Sequence, residues 1–248
     1  MKKGLLILLC LPLITLAQQT YVPDDIFEDY LETHSYNGVS VPVGSPLSMG
    51  NGIANDDSVT TLNINTVTYL EIKLDSIQDL TGIENFTALT YLNCRHNLLT
   101  TIDVSQNNAL TELHCQDNLL ISLNVSSNTA LEGLYCSDNQ ITSLDIRNGN
   151  NTNFTFFWAT NNPNLYCIDV DNTTWSAANW TASNFPQSID ATMSFSINCN
   201  PSSIQELTTN KELLKVIDLL GRETKGTKNQ VLFYIYDDGT VEKKIILE

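Results

Sequence analysis

The sequence predicts a solenoid, a stack of short coils built mostly from strand and turn, with successive strands lying side by side in one parallel sheet. Three observations predict it. A motif returns once every 21 residues, as Leu89-Thr-Tyr-Leu-Asn-Cys-Arg-His-Asn97, Leu110-Thr-Glu-Leu-His-Cys-Gln-Asp-Asn118 and Leu131-Glu-Gly-Leu-Tyr-Cys-Ser-Asp-Asn139. Within each copy two apolar residues stand two apart, which puts both on one side of a strand. An Asn closes each copy, where the chain has to turn.

The spacing L-x-x-L-x-C-x-x-N is that of a leucine-rich repeat, each unit one coil. Leu92 with Cys94, Leu113 with Cys115 and Leu134 with Cys136 point inward, and the three cysteines are expected to be buried thiols. Neighbouring strands then stack about 4.8 Å apart. Asn97, Asn118 and Asn139 form a ladder inside the turns, where an amide satisfies backbone groups otherwise buried without partners. Asp75 takes that place one unit earlier and can only accept, so the ladder weakens there. The copies continue as Ile102-Asp-Val104, Leu123-Asn-Val125 and Leu144-Asp-Ile146. Upstream, Val67-Thr-Tyr-Leu70-Glu-Ile72 opens another unit, and Val59-Thr-Thr-Leu62-Asn-Ile64 reads as a partial one. Downstream, Phe154-Thr-Phe-Phe157-Trp-Ala159 opens a fifth after an insertion near Gly149. The repeats thus occupy residues 59–171, about five coils.

A solenoid needs its ends covered. Residues 23–34 place Ile26, Phe27, Tyr30 and Leu31 at helical spacing with acids in the first turn, predicting an N-terminal cap helix. With the Gly-, Pro- and Asn-rich loop after it, this cap spans 18–58. Trp175, Trp180 and Phe185 are expected to cover the last coil, in a C-terminal cap over 172–200.

Residues 1–17 stand apart from the fold. Lys2 and Lys3 precede an apolar run that ends at Thr15-Leu16-Ala17, the layout of a signal peptide cleaved before Gln18. Leu9 before Cys10 fits a lipoprotein site poorly. No later stretch approaches a membrane span. Secretion implies an oxidising destination, in which Cys167 and Cys199, flanking the terminal aromatic stretch, are expected to pair. Spacing for a zinc site is lacking.

The net charge of −16 argues against nucleic acid, whose phosphates require a basic footprint. The charge is uneven. Residues 18–200 carry 20 acids and three bases, whereas 201–248 carry eight acids and seven bases. This marks a separate module, read as strands over 213–220, 231–236 and 240–247, with Asp238-Gly239 turning the last hairpin.

That module, over residues 204–248, resembles the C-terminal sorting domain of type IX secretion cargo. Val216-Ile-Asp218-Leu-Leu-Gly221-Arg222 and the block Asp238-Gly239-Thr-Val-Glu-Lys243-Lys244 carry the resemblance. The G-x-Y element such tails have before the last hairpin is reduced here to Tyr234. The resemblance implies outer-membrane export of a folded passenger after passage through the periplasm, with the type IX machinery as partner and removal of the tail. The passenger is similar to short leucine-rich-repeat proteins of Bacteroidetes surfaces, matched by Asn162-Pro-Asn-Leu-Tyr-Cys-Ile-Asp-Val-Asp171. A secreted or outer-surface location follows from it.

Outward strand positions make one concave face with three columns. Tyr69, Tyr91, Glu112, Gly133 and Phe156 form one; Glu71, Asn93, His114, Tyr135 and Trp158 the next; Lys73, Arg95, Gln116, Ser137 and Thr160 the third. Rings mixed with polar groups suit protein or glycan binding, and the candidate binding residues are Tyr91, Asn93, Arg95, His114, Tyr135, Phe156 and Trp158. Burial under the C-terminal cap explains Trp158 equally well. The alternatives are a structural or effector protein without a dedicated ligand, and a hydrolase. For the last, His114 with Asp117 is the best dyad, yet no nucleophile elbow accompanies it. No catalysis, cofactor or resident metal is expected, although Asp/Asn-rich loops leave a structural calcium open. The expected protein is a monomer that acts by binding.

Overall fold

The computed structural model of the chain describes residues 18–73, 76–180, 189–190, 192–199, 213–218, 221–224, 231–237 and 241–245. The expected signal peptide, Asp75, Phe185 and the Asp238-Gly239 turn lie outside them. The chain divides into two units, Met1–Cys199 and Asn200–Glu248.

The first unit begins with β1 (Gln19–Tyr21), paired antiparallel with β2 (Ser58–Thr60). Between them lies α1 (Asp25–Thr33), started by Asp24, whose Oδ1 accepts from the backbone N–H of Ile26 and Phe27. The other oxygen of Asp24 accepts from the N–H groups of Gln78 and Asp79, tying the helix start to the first coil. Phe27 and Leu31 are buried, but Ile26 is exposed, so the apolar stripe is narrower than the spacing predicted. The helix also buries two carboxylates. Glu28 accepts from the backbone of Asp56 and Asp57, and Glu32 from that of Asn51 and Gly52. A loop with little regular structure is thereby pinned by main-chain hydrogen bonds to charged acceptors.

The segment read as a partial repeat is not a coil. Its first residues form β2, antiparallel to β1, and the rest is the short α2 (Thr61–Ile64). The two strands make a separate two-stranded sheet ahead of the first coil. Gly82 makes room for it: φ there is +106°, and a Cβ would stand 2.8 Å from the Tyr21 carbonyl oxygen.

The solenoid proper carries two parallel sheets. The first orders β3 (Tyr69–Glu71), β4 (Tyr91–Asn93), β5 (Glu112–His114), β7 (Gly133–Tyr135) and β9 (Phe156–Trp158) side by side. The second orders β6 (Ser122–Asn124), β8 (Ser143–Asp145), β10 (Cys167–Asp169) and β11 (Ser194–Ser196). Each strand buries its middle residue or nearly so, from Leu70 through Leu92, Leu113 and Leu134 to Phe157 in the first sheet. Ile72, Cys94, Cys115, Cys136 and Ala159 are buried two positions later. The repeat is therefore a leucine-rich-repeat coil, and its apolar positions form one continuous core.

The turns are held by amides. Asn97, Asn118 and Asn139 each accept from a backbone N–H about one repeat away and donate to carbonyls of their own and the preceding coil. Asn162 adds a further rung. The residue before each rung, His96, Asp117, Asp138 or Asn161, has φ between 55° and 57°, a left-handed position that Asn, Asp and His tolerate best. A second row, Asn107 and Asn128, donates to buried carbonyls of the preceding coil.

At the far end, α3 (Thr173–Asn179) leads to Trp180, which is 1% exposed and packs on Phe154, Phe157 and Phe195. Here β11 extends the second sheet, parallel to β10. A disulfide joins Cys167 to Cys199, and Cys94, Cys115 and Cys136 are buried free thiols.

The second unit, taken by itself, is a three-stranded antiparallel sheet of β12 (Leu213–Ile217), β13 (Val231–Tyr236) and β14 (Val241–Ile245), in that order. Lys243 pairs with Phe233 and Lys244 with Leu232 in the register. The first strand ends at Ile217, earlier than predicted, because Asp218 starts a turn. Asp218 accepts from the backbone N–H and the guanidinium of Arg222, and Gly221 sits between them at φ +76°.

Candidate ligand-binding face

Parallel pairing without a slip aligns equivalent positions of each coil. Tyr69, Tyr91, Glu112, Gly133 and Phe156 share one column, and Glu71, Asn93, His114, Tyr135 and Trp158 the next. Residues that the sequence separates by a whole coil thus come into ring contact. Tyr69 stacks on Tyr91 with centroids 4.5 Å apart, and Tyr91 meets His114 at 5.3 Å. His114 stacks on Tyr135 at 4.0 Å, which packs against Phe156 at 5.9 Å and meets Trp158 edge-on at 5.3 Å. The result is an aromatic ladder across all five strands. Trp158 is 43% exposed and Phe156 49%, so the terminal cap does not bury Trp158; it buries Trp180 instead.

Polar groups brace the ladder. Glu71 accepts from the Tyr69 hydroxyl and from Asn93, and lies 2.7 Å from the Lys73 ammonium. That ammonium, more than the hydroxyl and the positive field of Arg95, holds the Glu71 carboxyl below its usual value against the effect of burial. Burial and the nearby Glu71 charge push the Tyr69 phenol up to about 12, and burial with Glu112 does the same for Tyr135. Both hydroxyls therefore stay donors at any physiological pH. Asn93 is buried, its Oδ1 accepting from the Arg95 backbone N–H.

The His114–Asp117 dyad does not form. Nε2 of His114 lies 2.6 Å from Glu112 Oε1, whereas Asp117 lies 3.3 Å from Nδ1 of His96. The left-handed turn at Asp117 directs it along the turn row, away from the strand face. Among the described residues, Asp25, Glu28 and Asp57 bring carboxylate oxygens within 4.8 Å of one another; Glu28 there is already engaged by two backbone N–H groups. No helix among the described residues is long and apolar enough to cross a membrane.

Tyr69 and Glu112 also contribute to the face although they are not among the candidate binding residues; the column alignment with Tyr91 and His114 is the sequence signal for both. Tyr30, His34 and Tyr36, which line a cavity of about 250 Å³ beside Tyr69, stand outside the repeat and carry no periodic signal.

No protein-family model matches the chain. Internalin J of Listeria monocytogenes serotype 4b (strain F2365) is 45% identical over 51 residues, or 21% of this chain; the match spans 6% of that protein's length. Among solved structures, the functional domain of InlJ from Listeria monocytogenes, described as including a cysteine ladder, has a TM-score of 0.46 and 28% identity, covering 62% of this chain and 33% of that one. An internalin, InlF, from Listeria monocytogenes strain 4b F2365 has a TM-score of 0.43 and 18% identity, covering 68% and 55% respectively.

Proposed function

We propose that the protein is a secreted or cell-surface leucine-rich-repeat binding protein that engages a protein or glycan through its concave face and catalyses nothing. The observation that carries this is the aromatic ladder, with large rings left exposed at Tyr69, Phe156 and Trp158. Rings so placed contribute nothing to the core, yet they offer contact area whose rotamers are already restrained by stacking. The local similarity to internalin J supports the same reading, as does a disulfide suited to an extracellular setting.

The tail belongs to this proposal as a type IX sorting domain. The Asp218–Arg222 turn and the paired lysine strand support that reading. Asp218, Gly221, Arg222, Asp238, Gly239, Lys243 and Lys244 would be its recognition residues, and residues 1–17 its signal peptide.

The binding reading is tested with purified chain against immobilised extracellular-matrix proteins and a glycan array. Saturable binding to one of them, weakened at least about tenfold by Tyr135→Ala or Trp158→Ala, is expected. Binding to nothing in either panel, or binding indifferent to both variants, would overturn it. Intact mass of the cell-surface fraction tests the export route: a species starting at Gln18 and lacking the tail is expected, and full-length protein held inside the cell would refute it.

A further inference from the structure

We propose that the cavity beside Tyr69, at the first-coil end of the concave sheet, is a carbohydrate subsite that takes one neutral pyranose ring. It extends the binding reading to a second position on the same sheet.

Ring faces decide where a sugar can stack. Inside the ladder they are spent on one another: Tyr69 against Tyr91 is 6° from coplanar, and His114 against Tyr135 is 9°. The ladder interior therefore presents ring edges and hydroxyls. Tyr69 is the end of the row. One of its faces is covered by Tyr91, yet the residue is 47% exposed and lines the cavity. The same cavity is lined by Tyr36, 64% exposed, and by Tyr30, whose ring stacks on His34 at 4.1 Å.

The polar rim decides the ligand class. Residues 18–200 carry 20 acids against three bases, which disfavours an anion. A cation would find the cavity's carboxylate already engaged. Glu71 holds Lys73 at 2.7 Å, accepts from the Tyr69 hydroxyl at 3.2 Å, and accepts from Asn93 at 3.3 Å. An incoming ammonium would also meet the Lys73 ammonium, which lines the same cavity. A volume of about 250 Å³ is below the roughly 300–1,000 Å³ of pockets for drug-sized ligands. What remains is a small neutral group with an apolar face and a hydroxylated edge. A pyranose has both: its C–H face meets the tyrosines, and its hydroxyls meet the Lys73 ammonium and the amide of Asn37. Ser35 fixes that amide by donating to Asn37 Oδ1 at 2.6 Å.

The test uses the full chain and saturation-transfer NMR with methyl glucoside, galactoside, mannoside and N-acetylglucosaminide, each at millimolar concentration. Tetramethylammonium and arginine methyl ester serve as cationic probes. Transfer to the C–H face of at least one pyranoside is expected, with affinity falling at least about tenfold in Tyr36→Ala and in Tyr69→Ala. Tyr166→Ala, exposed elsewhere, should leave it unchanged. Tyr36 lies outside the core, so loss in that variant cannot be assigned to unfolding. Transfer to no pyranoside, transfer indifferent to both variants, or preferential binding of a cationic probe would each overturn the subsite. If partner binding through Tyr135 and Trp158 persists while no pyranoside binds, this inference falls and the concave-face reading stands.

Discussion

Glu112 and His114 meet across the outward face of one strand, with Oε1 of the first 2.6 Å from Nε2 of the second. Two residues apart on a strand, they point the same way. Gly133, in the Glu112 column on the next strand, lets the carboxylate stem lie flat beside it, since a Cβ there would stand 3.1 Å from Glu112 Cγ.

Gly133→Ala is therefore expected to displace Glu112 from His114 without harming the fold. The atom that must yield belongs to a flexible side chain, so stability should change by less than about 1 kcal/mol. A shifted His114 imidazole resonance with a near-unchanged melting temperature is the anticipated result. A fall of more than about 4 °C would instead make Gly133 a structural requirement.

Asn118→Ala should be far more damaging. Its amide accepts from Leu99 N–H and donates to the Cys94 and Cys115 carbonyls, all buried. Each orphaned group costs about 1–3 kcal/mol, so a loss of at least about 3 kcal/mol is expected in urea unfolding. A loss below about 1 kcal/mol would show that the coils close without the ladder.

The disulfide and the free thiols should behave oppositely. Cys167 and Cys199 are 32 residues apart, and a loop of that length implies about 3–4 kcal/mol of stabilisation from restricting the unfolded chain. Reduction should lower the melting temperature accordingly. Burial pushes the Cys94 and Cys136 thiols up to about 12 and Cys115 well above its ordinary value. A thiol reagent at pH 8 should thus label none of the three until the protein unfolds; rapid labelling of the native protein would contradict their burial.

Acid should destabilise the solenoid through paired carboxylates. Arg147 holds Asp145 below its ordinary 3.8, and the Ser105 N–H does the same for Asp103. A depressed folded value means stability present above the unfolded value and lost as pH falls through the folded one. Melting temperature should drop as pH goes below about 4, and Asp145→Asn should flatten part of that drop. Glu28, raised chiefly by burial, acts in the opposite sense, its contribution fading as pH rises. An Asp145→Asn profile that parallels the wild type would remove Asp145 from this account.

Much of the fold is legible in the chain because a repeat converts sequence offset into position. Leu92, Leu113 and Leu134 stand 21 residues apart, and parallel pairing in strict register makes them neighbours. The same arithmetic placed Tyr91 near His114 and Tyr135 near Trp158. It could not show that the ring planes of His114 and Tyr135 lie nearly parallel, because side-chain rotation follows packing and not offset. The second sheet was half visible: Leu123-Asn-Val125 and Leu144-Asp-Ile146 recur, yet only pairing shows that they form strands with Cys167–Asp169.

By itself, then, the sequence determined the coil period, the inward apolar positions, the amide ladder and the columns of the first sheet's outward face, since each follows from local alternation repeated at a constant interval; the burial of Asn93 in one of those columns does not. Tertiary structure alone decided the partners of groups outside that interval. Glu28 and Glu32 are buried because a loop from 51 to 57 folds back to offer its N–H groups. Val59 pairs with Thr20 across an antiparallel contact that lies outside the repeat register. His114 takes Glu112 over Asp117 because a left-handed turn carries Asp117 to another row. Such choices depend on how distant backbone segments close in space, and no spacing along the chain records that.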